Sequence, residues 1–226
     1  MNKLIVIALS LFSSLAAAKT IRVAVIDTGI NDYLRHTLPM CPTGHIDLTN
    51  TTLIDNHGHG SHIAATIAKY AGKADYCLVI IKYYDTNDKA SGSALYLRKA
   101  LAYANLIKVD IVNISSGGIG SDYFERQNVE TLLNRGIIVN VAAGNDGKDL
   151  DKSCYYFPAC YSKRLNVVGN VLPNGKPAAQ SNYGKRVNVW REGLETVKVG
   201  LKSIVTMFGS SMATARLTGE IVNEKK

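Results

Sequence analysis

Short runs of β-branched residues alternate with stretches of helical periodicity along most of this chain, and that alternation limits its fold more than any other feature. Residues 21–26 form a compact apolar run suited to a buried strand. Residues 61–70 then carry Ile63, Ala64, Ile67 and Ala68 on one helical face. Further strands are predicted at 77–81, 110–115, 137–141 and 165–171. Helices are predicted at 91–105, with Ala94, Leu97, Leu101 and Ala104 in helical spacing, and at 122–135, stopped by Gly136. Parallel strands need crossover connections of this length, so the pattern predicts an α/β fold: a mostly parallel central sheet with helices on both faces. After it come short strands at 187–190 and 197–206, the latter interrupted by Gly200. A last helix at about 211–222, with Ala213, Leu217 and Ile221 four apart, closes a compact C-terminus.

The 226 residues suffice for one domain with one sizeable core. Residues 1–18 read as a signal peptide: Lys3, an apolar stretch over 4–15, then Ala16-Ala17-Ala18. The stretch falls short of the roughly 20 apolar residues that span a bilayer. Cleavage near Ala18 leaves a domain over 19–226, secreted or periplasmic, with no stable membrane insertion. The formal net charge of +8 is spread along the chain without the dense patch that nucleic-acid binding needs, so no nucleic-acid partner is expected. Four cysteines in an exported chain imply disulfides, and three pairings are open. The close spacing of Cys154 and Cys160 favours a local clasp, leaving Cys41 with Cys77.

Reactive residues in parallel sheets gather at the carboxyl ends of strands. Asp27 directly follows the first strand, and His59 opens a helix beside Gly60, whose lack of a side chain would let a substrate backbone approach. Ser211 sits at a helix start, where free amides and the helix dipole favour developing negative charge. A serine needs a neighbouring imidazole as base, and that imidazole needs a carboxylate to fix its tautomer.

The segments Val25-Ile26-Asp27-Thr28-Gly29, His59-Gly60-Ser61-His62 and Gly209-Ser210-Ser211-Met212-Ala213 resemble, in order, the three signature motifs of the subtilisin-like serine peptidases. Two more segments, Ile114-Ser115-Ser116-Gly117-Gly118 and Ala142-Ala143-Gly144-Asn145, are similar to that family's substrate-binding strand and oxyanion segment. The resemblance implies a three-layer sandwich and a secreted endopeptidase. In it Ser211 is the nucleophile rather than Ser210, His59 the base and Asp27 its orienter. Asn145 and the Ser211 amide would hold the oxyanion. Backbone at Ser115, Ser116, Gly117 and Gly118 would pair with extended protein or peptide substrates. The protein is expected to act as a monomer.

Four departures from the family pattern stand out. The first strand begins about two residues after the expected cleavage, where the family usually has a folding-assistant pro-segment, so the chain is expected either to fold unaided or to take that help from a partner or a different start site. The family's proline after the serine motif is absent, since Thr214-Ala215 follow Met212-Ala213, and the chain ends fifteen residues after Ser211, leaving that helix with less to buttress it. No acidic ligand cluster follows the histidine helix, so no cofactor is expected, and calcium is left as an alternative that the sequence does not support. A zinc reading of His57, His59 and His62 with Asp55 lacks an acidic residue beside the third histidine and leaves Asp27, Asn145 and Ser211 unexplained, so no metal site is expected. The alternative function is a non-catalytic binding protein or decoy of the same fold, although every residue the chemistry requires is present. Asp85 and Asp88 read as solvated loop carboxylates, with a bias towards basic substrates as the alternative.

Overall fold

The computed structural model describes residues 19–89 and 91–225; the expected signal peptide over 1–18 lies outside the described residues. The chain opens with β1 (Ile21–Asp27), then a short helix α1 (Asp32–Thr37) whose N-cap Asn31 accepts from the Leu34 amide. The strand β2 (Ile46–Asp47) leads into α2 (His59–Ala71), which ends at Gly72. Next come β3 (Tyr76–Lys82), α3 (Ala94–Leu106), β4 (Ile111–Ile114) and the two-residue β5 (Gly118–Ile119). Helix α4 (Tyr123–Asn134) starts at Asp122, whose carboxylate accepts from the Glu125 amide, and stops before Gly136 at φ +74°. The strands β6 (Ile138–Ala142), β7 (Tyr156–Phe157), β8 (Asn166–Val171) and β9 (Val189–Glu192) follow. The hairpin β10 (Leu194–Lys198) and β11 (Ile204–Phe208) precedes the last helix, α5 (Ser210–Glu224).

Seven strands form one sheet in the order β2-β3-β1-β4-β6-β8-β9, every neighbouring pair parallel. Alternation along each strand sorts the core into two layers. Ala24, Ile26, Val79 and Ile81 meet Leu97 and Leu101 of α3 and Val129 and Leu132 of α4. Val23, Val25, Leu78 and Ile80 meet Ile63 and Ile67 of α2 and Met212 and Val222 of α5. Helices therefore cover both faces, as the sequence pattern predicts.

The serine-bearing helix is better supported than its closeness to the chain end suggested. A Cβ at Gly219 would lie 2.5 Å from the Ile67 carbonyl oxygen, so α5 presses directly on α2. On its sheet side, buried Thr218 joins a polar network: Asn140 donates to its hydroxyl at 2.9 Å, and that hydroxyl lies 2.8 Å from Asn113 Oδ1. This network ties α5 to β4 and β6 with buried polar groups satisfied. Cys41 pairs with Cys77 on β3, and Cys154 with Cys160 around β7. Trp190 packs against Gly169, where a Cβ would meet its ring at 2.6 Å.

Candidate active site

The chain leaves β1 towards β2 and β3 and later returns to lay β4 on the other side of β1, which opens a crevice at the strands' carboxyl ends. Asp27 ends β1 at that crevice and is 1% exposed. Its Oδ1 accepts from the Thr28 amide at 2.8 Å and lies 2.7 Å from His59 Nδ1. The neighbouring Oδ2 is buried without a hydrogen bond among the described residues.

His59 is the first residue of α2, and the approach of α2 to β1 decides its position. Gly60 allows that approach: a Cβ there would sit 2.5 Å from the Gly29 carbonyl and 3.0 Å from Thr28 Oγ1. Gly60 thus serves helix packing rather than the substrate approach that the sequence suggested, because it is buried against the turn after β1. Asp55, a residue the sequence offered only as a zinc ligand, organises this helix start. Its Oδ2 accepts from the Ser61 amide and hydroxyl, and its Oδ1 from the His57 and Gly58 amides and the Thr28 hydroxyl. A carboxylate capping the first turn is favoured by both hydrogen bonding and the helix dipole. The signal for it was an aspartate just ahead of a helix whose own N-cap, Gly58, has no side chain.

Burial alone would lower the pKa of His59, but the Asp27 carboxylate, its hydrogen bond and the Asp55 charge together hold it above the ordinary 6.5. His62 lies one turn on, fully buried, with Nε2 3.2 Å from the Glu195 carbonyl and its pKa lowered chiefly by burial. The rings of His59 and His62 therefore engage different partners, while exposed His57 stands edge-on to His59 at 6.1 Å.

The two serines opening α5 part company. Ser210 is fully buried, with its amide donating to Asn145 Oδ1 at 2.9 Å and its hydroxyl accepting from the Gly144 amide at 3.2 Å. Ser211 faces the crevice, and its hydroxyl donates to the Ser115 carbonyl oxygen at 2.6 Å. Its amide, in the first turn of α5, finds no acceptor among the described residues. Asn145 is exposed beside it, its carboxamide held through Oδ1.

Ser115 is buried, Ser116 accepts a hydrogen bond from the Tyr83 hydroxyl at 2.7 Å, and Gly117 and Gly118 are exposed. One edge of this segment is covered, since Gly118 pairs antiparallel with Phe157 through β5 and β7, a pairing of two residues per strand that the sequence did not predict. Asp27, His59, Ser115 and Ser211 together line a cleft of about 270 Å³, walled by Tyr84 and Tyr156.

Asp85 is not a solvated carboxylate. It is 1% exposed and lies 2.5 Å from Nζ of the fully buried Lys82, which also donates to the Thr52 and Ile54 carbonyls at 2.6 Å. Burial would raise the pKa of Asp85, but the hydrogen bonds from Lys82, the Asn87 amide and Asn56, together with the Lys82 charge, outweigh it and hold the group at about 2.

Residues 18–222 match the model of the subtilase family. The chain belongs to the subtilase family. This subtilase is 31% identical over 170 residues to an extracellular serine proteinase of Thermus sp. (strain Rt41A), covering 73% of this chain and 40% of that one. It is 28% identical over 228 residues to the major intracellular serine protease of Bacillus subtilis (strain 168), covering 90% of this chain and 67% of the relative. The subtilase thus spans well under half the length of the Thermus protein. Among solved structures, a cold adapted subtilisin-like serine proteinase superposes with a TM-score of 0.74 at 23% identity, covering 88% of this chain and 72% of that one. A lanthipeptide protease superposes at 0.78 with 18% identity, covering 89% and 72%. Both share the fold.

Proposed function

We propose that this subtilase is an exported serine endopeptidase whose triad is Asp27, His59 and Ser211. The observation that carries the reading is the 2.7 Å contact between Asp27 Oδ1 and His59 Nδ1, inside the cleft that Ser211 also lines. Asp27 fixes the tautomer that leaves His59 Nε2 free to accept a proton. The reaction requires the Ser211 hydroxyl to leave the Ser115 carbonyl and turn towards the imidazole, as a change of side-chain rotamer would allow. Ser211 Oγ then attacks the scissile carbonyl while its proton passes to His59 Nε2. That proton leaves with the departing amine, and a water activated by His59 hydrolyses the acyl-enzyme. The Ser211 amide and the Asn145 carboxamide stabilise the oxyanion. Two disulfides support an oxidising destination.

A non-catalytic binding role draws on one observation, the engagement of the Ser211 hydroxyl with a backbone carbonyl instead of the imidazole. Labelling of the purified protein with a fluorophosphonate separates the two readings. Modification at Ser211, lost in both Ser211→Ala and His59→Ala with folding verified by circular dichroism, supports the peptidase. A folded parent that resists the reagent supports the binding protein.

A further inference from the structure

A second cavity of about 170 Å³ adjoins the cleft, sharing Tyr83 and Gly117 with it. Leu97 and Phe157 give it apolar walls, and Gly118 stands at its side without a side chain to block entry. Glu125, the third residue of α4, also lines it while being only 2% exposed. Its Oε2 accepts from the Tyr161 hydroxyl at 2.7 Å, and that hydroxyl accepts from the Asp122 amide at 2.8 Å. No cation pairs with Glu125 among the described residues. The nearby Arg98 approaches Asp122 instead, at 3.9 Å, and lies over the Phe124 ring. A buried carboxylate without an ion-pair partner is costly, and a cation entering the cavity would relieve that cost. An extended peptide projects alternate side chains to opposite sides, so one running along residues 115–118 can turn a side chain into this cavity.

We propose that Glu125 makes this subtilase select substrates carrying a lysine or arginine at the position that enters the second cavity. The proposal rests on the peptidase reading above. Burial pushes the Glu125 pKa up to about 7; the Tyr161 hydrogen bond and Arg98 pull it down, and Asp122 pushes it further up. The tyrosines facing it, Tyr161 and Tyr83, are both raised well above their ordinary range, so neither ionises near neutrality. Selection should therefore strengthen as pH rises through about 7.

The test uses the whole protein and peptides with lysine or norleucine placed in turn at each position around the scissile bond. The ratio of kcat/KM for each lysine and norleucine pair is read at pH 6 and pH 8.5. The titration of His59 cancels in that ratio. A charge-assisted contact predicts a preference of about tenfold at one position at the higher pH. The preference should weaken at the lower pH and vanish in Glu125→Gln. A flat ratio at every position overturns the proposal, and so does a preference that ignores both pH and the substitution. The pH comparison on the parent protein decides the matter even if Glu125→Gln does not fold. If Ser211 takes no fluorophosphonate, the peptidase reading fails and this inference falls with it; a labelled enzyme with flat ratios removes the inference alone.

Discussion

Ser211 and Ser115 exchange hydrogen bonds: the hydroxyl of each donates to the backbone carbonyl of the other, at 2.6 and 2.9 Å. Asn113 Nδ2 also donates to the Ser115 hydroxyl at 2.9 Å, so the pair links the start of α5 to the end of β4. Ser115→Ala keeps the backbone acceptor for Ser211 but leaves the buried Asn113 amide short of a partner. Chemical denaturation should register a loss of about 1–2 kcal/mol. A crystal structure of the fluorophosphonate adduct should show Ser211 Oγ withdrawn from the Ser115 carbonyl.

With His59 as the proposed general base, its raised pKa should set the acid limb of the pH–rate profile. The imidazole must be neutral to accept the serine proton, so kcat/KM should rise with a midpoint above 6.5. Its contribution to stability runs the other way: present in full below the unfolded value, it is lost as pH rises through the raised folded one. Asp27→Asn removes the charge that raises His59 and offers the wrong tautomer partner. Turnover should fall by about 10⁴ and the remaining limb should move to lower pH.

Asn145→Ala removes a proposed oxyanion donor at an exposed position. Turnover should drop by about 10²–10³ with KM little changed, a magnitude established on the relative subtilisin. Steady-state kinetics on one peptide would check it. An equal loss in KM and none in kcat would place Asn145 in ground-state binding instead.

Lys82 and Asp85 should be far more sensitive to removal of one partner than of both. Lys82→Met strands a buried carboxylate and should cost about 3–5 kcal/mol, while adding Asp85→Asn should recover part of the loss. Asp85 supports the fold above its unfolded pKa of 3.8, and that support fades as pH falls through about 2. Urea denaturation of the single and double variants would measure the coupling.

Glu125 should weaken the free protein as it ionises. Its folded pKa of about 7 lies above the ordinary 4.5, so the folded state binds the extra proton and stability falls as pH rises between those values. Glu125→Gln keeps an acceptor for Tyr161 and should raise the stability at pH 8 by about 1–3 kcal/mol, with little change at pH 4. Thermal unfolding at the two pH values would show the difference.

Much of the site was readable because it depends on local order. Asp27 and Ser211 stand at element ends, and both the apolar strand β1 and the helix α5 announce themselves by pattern. Other parts were not. The helix α2 carries more buried residues than one amphipathic face predicts, because it is sandwiched between the sheet and α5. The pairing of β5 with β7 spans two residues in each strand, too few to leave an alternating pattern. Asp85 and Glu125 look like ordinary polar residues of a loop and a helix start, since nothing in a sequence marks which carboxylate distant residues will enclose.

By itself, then, the sequence determined the succession of strands and crossover helices, the two faces of the core and the order of the motifs that resemble the family's. Side-chain periodicity and backbone preference act over a few residues, and these features need no more. Only the tertiary structure decided that Asp27 meets His59 across the turn at Gly29, that Lys82 is an internal cation, and that Glu125 opens into a cavity beside the cleft. Each of these depends on the electrostatics and packing of groups far apart in the chain, which have no energy until the fold brings them together.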